Sequence, residues 1–220
     1  LDIATIISEN VVSGGVRHSA MMIICDENDE DVINAKSKLY TIVNGNWIEN
    51  SEVSHRKMSN NSVLYKEKPS LNKIKKILES IKINGEPGFI NGSEAMRRKR
   101  TFKGCNPCGE ILLNSHQCCN LSTNNLASFV NEDNNLDIDK LEKIIKLSTR
   151  VAIRMTLVDV ELPDWNKIMQ NDRIVGISLT GMMDMVNRTN MTYKNLGLLL
   201  KRLRDVVRCE GIKSVSYTHL

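Results

Sequence analysis

The sequence predicts an α/β fold with parallel strand pairing, because helix-like and strand-like segments alternate along the chain. Apolar residues recur at three- and four-residue spacing in 71–81 and again in 139–157, which predicts two amphipathic helices. Residues 173–179, with the sequence R-I-V-G-I-S-L, have the composition of a buried strand. A further helix is predicted over 196–207.

The first part of the chain carries weaker signals. Residues 3–25 mix β-branched and apolar side chains around Gly14-Gly15, which predicts two short elements joined by a tight turn. A short helix is predicted to begin within 31–38, whereas 47–61 are polar and predicted to be irregular. Residues 62–65 predict a strand.

The first amphipathic helix is expected to begin after Pro69-Ser70, because serine is a preferred N-cap residue. Its apolar face consists of Leu71, Ile74, Ile77, Leu78 and Ile81. Residues 84–88 have turn chemistry, 89–90 predict a short strand, and 96–103 predict a basic loop.

The second amphipathic helix, over 139–157, has Asp137 and Asp139 at its N-terminal end, where negative charge is favourable. Its predicted apolar face consists of Leu141, Ile144, Ile145, Ser148, Val151 and Met155. A helix of this kind between strands is the pattern that predicts a parallel sheet.

Composition excludes several classes of protein. The 220 residues are 41% hydrophobic and 25% charged, which is typical of a folded globular chain. The 30 basic and 26 acidic side chains give a formal charge of +4, too small and too scattered to predict a nucleic-acid partner. No apolar run approaches the roughly 18 residues of a membrane span, so no membrane partner is expected. Without a signal-peptide pattern, the 6 cysteines are predicted to lie in a reducing compartment, the cytoplasm.

The beginning of the chain and its aromatic content predict a piece of a larger protein. The first residue is Leu1, and residues 1–12 resemble the middle of a folded element. The 3 Phe, 2 Trp and 4 Tyr are few for a self-sufficient core.

The most informative stretch is Gly104-Cys105-Asn106-Pro107-Cys108-Gly109-Glu110. Pro107 restricts Asn106 toward an extended conformation. If the stretch is extended, alternate side chains point the same way, and Asn106, Cys108 and Glu110 present an amide, a thiol and a carboxylate side by side. Cys118 and Cys119 follow shortly after.

Four interpretations of these groups compete. Cys105 and Cys108 could bind structural zinc together with Cys118, Cys119 or His116, as part of a non-catalytic α/β interaction module. Cys105 and Cys108 could form a thioredoxin-like redox pair, although that motif normally opens a helix. All of them could be small buried side chains without chemistry. Finally, one thiol could react with a polar substrate held by Asn106 and Glu110, with a second cysteine as reductant.

The residues themselves then point to a family. Asn106-Pro107-Cys108-Gly109-Glu110-Ile111, followed by Cys119-Asn120-Leu121, resembles the active-site signature of ribonucleotide reductases. The proline and glycine beside the cysteine are similar to those of the adenosylcobalamin-dependent, class II members, and Met58-Ser59-Asn60-Asn61-Ser62 is similar to the ribonucleoside-triphosphate reductase branch. Other similar stretches, in the same order as in the family, are Gly15-Val16-Arg17-His18-Ser19-Ala20, Gly85-Glu86-Pro87-Gly88-Phe89-Ile90-Asn91 and Gly176-Ile177-Ser178-Leu179-Thr180-Gly181.

The resemblance implies a fold, an activity and a cofactor. The fold is a partial ten-stranded α/β barrel with a radical cysteine on a central loop. The activity is the reduction of ribonucleoside triphosphates to 2′-deoxyribonucleotides by thiyl-radical chemistry, with adenosylcobalamin as cofactor. Its partners are the triphosphate substrate, a deoxyribonucleoside-triphosphate effector in the full-length protein and a thioredoxin-like reductant.

The resemblance also implies a role for four residues. Cys108 is the thiyl-radical residue that abstracts the ribose 3′-hydrogen. Glu110 is the base that removes the 3′-hydroxyl proton, and Asn106 hydrogen-bonds the ribose hydroxyls. Cys119 is one half of a redox disulfide. No residue is implied to bind a resident metal ion.

The remaining candidate residues are assigned no chemical role. Cys118, Cys105, Cys25 and Cys209 are predicted to pack. Asn60, Asn61 and Ser62 fit either a substrate-lining segment or a polar turn.

Parts of the family pattern are missing from these residues. The redox partner of Cys119 is expected upstream, and neither the phosphate-binding Pro-Ser-Gly-Thr stretch nor the C-terminal cysteine pair occurs. The isolated chain is therefore expected to be inactive. Residues 1–212 are assigned to the catalytic barrel, and residues 213–220 to a non-family tail that resembles translated linker sequence.

Overall fold

The computed structural model describes residues 1–10 and 20–217, with side chains described as far as Val215. It divides into two compact units, Leu1–Ser115 and His116–Leu220. The turn predicted at Gly14-Gly15 lies outside the described residues, as does all of the 15–20 stretch except Ala20.

The first unit alternates short helices and strands. In chain order its elements are α1 (Asp2–Ser8), β1 (Met21–Asp26), α2 (Glu30–Ile33), β2 (Tyr40–Val43), β3 (Asn46–Glu49), a 3₁₀ turn (Ser54–Met58), β4 (Ser59–Tyr65), α3 (Leu71–Asn84), β5 (Gly88–Asn91), α4 (Gly92–Arg98), β6 (Gly104–Cys105) and β7 (Leu112–Leu113).

A three-stranded parallel sheet, in the order β1-β4-β5, is the centre of this unit. The core on one side of the sheet is formed by Cys25, Val32, Ile33, Val63, Tyr65 and Ile77. Helix α3 contributes to this core and begins where the sequence predicts, since the Ser70 hydroxyl accepts a hydrogen bond from the backbone N–H of Lys73 at 3.3 Å. The predicted strands at 62–65 and 89–90 are confirmed within β4 and β5.

Two predictions for this unit are wrong, and one is confirmed with a shifted start. Residues 47–61 are not irregular, because β2 and β3 form an antiparallel hairpin around Asn44-Gly45, and β4 begins at Ser59. The short helix predicted to begin within 31–38 is confirmed as α2, which begins one residue earlier, at Glu30, and is 4 residues long. The predicted basic loop at 96–103 begins inside α4, where Glu94 forms ion pairs with Arg97 and Arg98 at helical spacing.

The second unit packs helices on a two-stranded parallel sheet. Its elements are β8 (Cys119–Asn125), a 3₁₀ turn (Leu126–Phe129), α5 (Ile138–Met155), α6 (Pro163–Asp172), β9 (Ile174–Thr180), α7 (Met182–Thr189) and α8 (Tyr193–Tyr217). Strands β8 and β9 pair in parallel from Cys119 with Ile174 to Asn125 with Thr180. Its core consists of Leu126, Phe129, Val130, Leu141, Ile145, Met185, Val186, Leu196, Leu199 and Leu203.

Helix α5 is confirmed, with Asp137 as its N-cap, but the predicted apolar face is partly wrong. Thr149, Ala152 and Ile153 are buried, whereas Val151 and Met155 are exposed. The reason is tertiary, because α5 contacts β8 and β9 as well as α8, and these neighbours select the buried stripe.

Other elements of the second unit depart from the sequence predictions. The strand predicted at 173–179 is confirmed as β9 but is only half-buried. Strand β8 and helices α6 and α7 were not predicted. Helix α8 contains the predicted 196–207 segment and continues to Tyr217, through the start of the predicted tail.

The α/β class with parallel pairing is confirmed in both units. Over residues 1–10 and 20–217, the strands form four separate sheets and no closed barrel. Within the same residues, none of the helices combines the length and apolarity needed to cross a membrane.

Candidate active site

The stretch around Cys108 forms a tight turn at the tip of a small hairpin. Strands β6 and β7 pair antiparallel through Gly104 with Leu113 and Cys105 with Leu112. Between them, the Gly109 N–H donates to the Asn106 carbonyl at 2.8 Å and closes a β-turn. Gly109 has φ of +85°, a conformation that L side chains rarely adopt.

This turn corrects the predicted extended geometry. A β-turn reverses the chain direction, so Asn106, Cys108 and Glu110 do not lie along one face of a strand. They remain within one short loop because the hairpin closes on both sides of them. The Asn106 side-chain oxygen accepts the N–H of Ile111 at 2.9 Å, and the Asn106 N–H donates to the Ile111 carbonyl at 3.3 Å.

The two cysteines of this loop differ in exposure. Cys108 is exposed near the tip of the turn, and Glu110 is exposed beside it. Cys105 is half-buried, and its Sγ lies 3.4 Å from the Met22 Sδ. Burial, and next the negative charge of Glu110, raise the pKa of Cys105 above its usual range. Cys108 is therefore the accessible thiol of the loop.

One face of the β1-β4-β5 sheet supports the hairpin. Met22 and Ile24 of β1 lie 3.8 Å and 3.6 Å from the positions that side chains on Gly109 and Gly104 would occupy. Asn60 of β4, paired with Met22, donates from Nδ2 to the Pro107 carbonyl at 2.6 Å. Asn60 therefore lies on strand β4, which contacts the Cys108 turn. The alternative that Asn60 belongs to a polar turn is wrong.

Cys25 lies on the other side of the same sheet. Cys25 is buried in the core of the first unit, as predicted. Burial, and next the negative charge of Asp29, raise its pKa to about 11, so it is a neutral thiol at physiological pH. The prediction that Cys209 packs is wrong, because that side chain is exposed on α8.

Cys119 lies in the second unit, at the first position of β8. Alternation along the strand puts Cys119 on the same face as Leu121, which is exposed. The opposite face carries Asn124, whose side-chain oxygen accepts the Ser148 hydroxyl of α5 at 2.9 Å. The neighbouring Cys118 is half-buried, and burial raises its pKa.

The alternative chemistries find no support in this geometry. Across the described residues, there is no group of three or more His, Cys, Asp or Glu side chains that could hold a metal ion, so the zinc module is unsupported. No helix follows Cys108, as a thioredoxin-like pair would require, because the chain enters β7 instead.

Comparison with known proteins identifies the class of this chain. The family model of the ribonucleotide reductase barrel domain matches residues 19–197. The chain therefore belongs to the ribonucleotide reductase family and contains part of its barrel domain.

Similar curated proteins carry one name. The chain is 32% identical over 197 residues to the adenosylcobalamin-dependent ribonucleoside-triphosphate reductase of Lactobacillus acidophilus, covering 83% of this chain and 24% of that protein. It is 31% identical over 203 residues to the Lactobacillus gasseri protein of that name, covering 86% of this chain and 24% of that protein. For the Lactobacillus leichmannii protein the identity is 29% over 194 residues, with 83% and 24% covered. The chain spans about a quarter of the length of these relatives.

Proposed function

We propose that this chain is part of the catalytic barrel of an adenosylcobalamin-dependent ribonucleoside-triphosphate reductase. The observation that carries the proposal is the exposed Cys108 in a tight turn, flanked by Asn106 and Glu110, within the residues matched by the family. The full-length protein would reduce ribonucleoside triphosphates to 2′-deoxyribonucleotides in the cytoplasm.

The exposed thiol fits the proposed cofactor. When bound, adenosylcobalamin would supply a radical to which a nearby thiol could give a hydrogen atom. Cys108 meets this requirement chemically, because its side chain is exposed on the turn and does not pack in a core. The resulting sulfur radical would abstract the ribose 3′-hydrogen and return a hydrogen atom at the end of the reaction.

Glu110 and Asn106 would act on the ribose hydroxyls. The exposed Glu110 carboxylate would accept the 3′-hydroxyl proton while the 2′-hydroxyl leaves as water, and general-base assistance of this kind contributes roughly 10²–10⁴-fold. The Asn106 side-chain oxygen already accepts the Ile111 N–H, so its NH₂ group is the part that would donate to a ribose hydroxyl.

Cys119 would supply half of the reducing equivalents. Its thiol and a second thiol on an upstream strand would give two electrons and two protons, leaving a disulfide, one water and the deoxyribonucleotide. A thioredoxin-like donor would reduce the disulfide by thiol exchange. Cys119 is half-buried, on the side of β8 where Leu121 is exposed, which is consistent with this role.

The proposal treats residues 1–212 as barrel and residues 213–220 as a tail outside the family. The second redox cysteine, the phosphate-binding loop, the effector site and the C-terminal cysteine pair would belong to the full-length protein. The isolated chain of 220 residues is accordingly expected to form no deoxynucleotide.

The test is the Cys108→Ser substitution in the full-length reductase with its cofactor. We expect deoxynucleotide formation to be lost while triphosphate binding is retained, because oxygen does not replace sulfur in the hydrogen transfer. The control is Cys209→Ser, which changes the other exposed cysteine and should leave turnover unchanged. Normal turnover by Cys108→Ser would show that the radical role is wrong.

A further inference from the structure

We propose that Asn60 is a positioning residue for Cys108, an inference that rests on the proposed function. Asn60 lies 47 positions before Pro107 in the sequence, yet its Nδ2 donates to the Pro107 carbonyl at 2.6 Å. That carbonyl belongs to the peptide group that joins Pro107 to Cys108. A bond at this oxygen fixes the plane from which the Cys108 side chain emerges.

The bonds within the turn do not fix the orientation of the Pro107–Cys108 peptide plane. The proline ring fixes φ of Pro107, and the bond from Gly109 to Asn106 fixes the separation of the turn ends. The central peptide group of a β-turn can still rotate between turn types with little movement of those ends. The Asn60 amide restricts that rotation.

The backbone on both sides of Asn60 is held by hydrogen bonds to charged side chains. The N–H of Asn61 donates to the Glu86 carboxylate at 3.1 Å, and that carboxylate pairs with the buried Lys36 at 2.9 Å. The Lys36 ammonium also donates to the carbonyl of Ser59. The residues before and after Asn60 are therefore tied to one ion pair, which fixes the start of β4.

This rigidity matters because of the proposed chemistry. A hydrogen atom is transferred only between groups in van der Waals contact, and a misplacement of about 1 Å can cost about 100-fold in rate. A sulfur atom on an exposed turn would sample several positions if its peptide plane were free. The Asn60 contact limits those positions through the Pro107 carbonyl.

The matched experiment compares Asn60→Asp with Asn91→Asp. Asn60→Asp keeps the size of the side chain but removes the NH₂ donor. Asn91→Asp makes the same change of charge in the same unit, where the Asn91 oxygen only accepts, from the Glu94 N–H and the Ser93 hydroxyl. Asn60→Gln keeps the NH₂ donor on a longer side chain. It should show a smaller change than Asn60→Asp in both Gly109 amide exchange and kcat.

The first readout uses the 220-residue chain and needs no activity. We expect Asn60→Asp to speed amide hydrogen exchange at Gly109 about fivefold relative to the amides of β4, which corresponds to about 1 kcal/mol for one hydrogen bond. Asn91→Asp should leave that ratio unchanged. An unchanged ratio in Asn60→Asp would overturn the proposal.

The second readout is the full-length reductase with its cofactor. Asn60→Asp should lower kcat roughly 10–100-fold with KM within about twofold, at an unchanged folded fraction. Faster exchange with a normal kcat would overturn the positioning role. If Cys108→Ser were active, the proposed function would fail, and the exchange ratio would still decide separately whether Asn60 holds the turn.

Discussion

The two units of the chain are stabilised in different ways. The second unit has a continuous apolar core in which Leu126, Leu141, Ile145 and Met185 are fully buried. The first unit has a smaller apolar core, and its polar network around Lys36 and Glu86 lies at the start of β4, the strand beside the Cys108 turn, whereas the buried Glu210 of the second unit pairs with Arg150 between α5 and α8. Apolar packing is non-directional, whereas hydrogen bonds and ion pairs specify orientation.

The two candidate cysteines lie in different settings. In the second unit, Cys119 lies on a regular strand, and α5 packs on β8 and β9. In the first unit, Cys108 lies on an exposed turn that has little apolar surface to bury. The directional bond from Asn60, whose strand is held by the ion pair, therefore adds to the contacts that Met22 and Ile24 make beneath the hairpin.

The largest expected effect breaks the core of the second unit. Leu141→Ala on α5 removes a side chain that is 0% exposed and should lower the free energy of unfolding by about 2–5 kcal/mol. Leu147→Ala, on the same helix, removes a side chain that is 53% exposed and should change it by less than about 0.5 kcal/mol. Denaturant unfolding followed by hydrogen exchange in the second unit measures both. Equal losses of unfolding free energy in the two variants would mean that Leu141 is not on the buried face of α5.

A smaller effect is expected from the polar network of the first unit. Lys36→Met keeps most of the side-chain volume but leaves the Glu86 carboxylate without its ion-pair partner. We expect a loss of about 2 kcal/mol, less than for a fully buried pair because Glu86 is partly exposed.

The control for this prediction is Lys38→Met, which changes an exposed lysine two positions away and should be nearly neutral. Hydrogen exchange in the β4 amides is the measurement. If Lys36→Met were as neutral as Lys38→Met, the buried network would not stabilise the first unit.

The smallest effect concerns the electrostatics of the Cys108 loop. Glu110→Gln removes the negative charge that adds to burial in raising the pKa of Cys105. A lower pKa gives more thiolate at a given pH, so alkylation of Cys105 at pH 8 should become roughly two- to threefold faster. The pH midpoint should stay above the ordinary value, because burial is the larger cause.

Mass spectrometry of each cysteine as a function of pH measures this shift. Glu67→Gln is the control, because the exposed Glu67 is not among the causes of the Cys105 shift. A midpoint that did not move in Glu110→Gln would place the carboxylate too far from Cys105 to influence it.

Some features follow from the sequence because their causes are local. Ser70 and Asp137 cap helices α3 and α5 through their own side chains, so both helix starts were predictable. The family signature lies within two short stretches, and its resemblance predicts the four candidate residues Asn106, Cys108, Glu110 and Cys119. The Asn44-Gly45 pair is typical of a hairpin turn, so local sequence could also have predicted the β2-β3 hairpin, although it was not predicted here.

Other features depend on contacts between distant residues. The polar strand β8 has no apolar alternation to predict it and exists because β9 pairs with it along its whole length. The buried stripe of α5 was selected by β8, β9 and α8. Neither could be obtained from a local pattern.

The sequence by itself determined the α/β class, the helix caps and the set of side chains close to Cys108 along the chain, since each depends on residues a few positions apart. Only the tertiary structure decided that this loop closes as a β-turn and that Asn60 holds it from strand β4. The physical reason is that a hydrogen bond across 47 positions leaves no periodic trace in the sequence and forms only when the fold brings its two partners together.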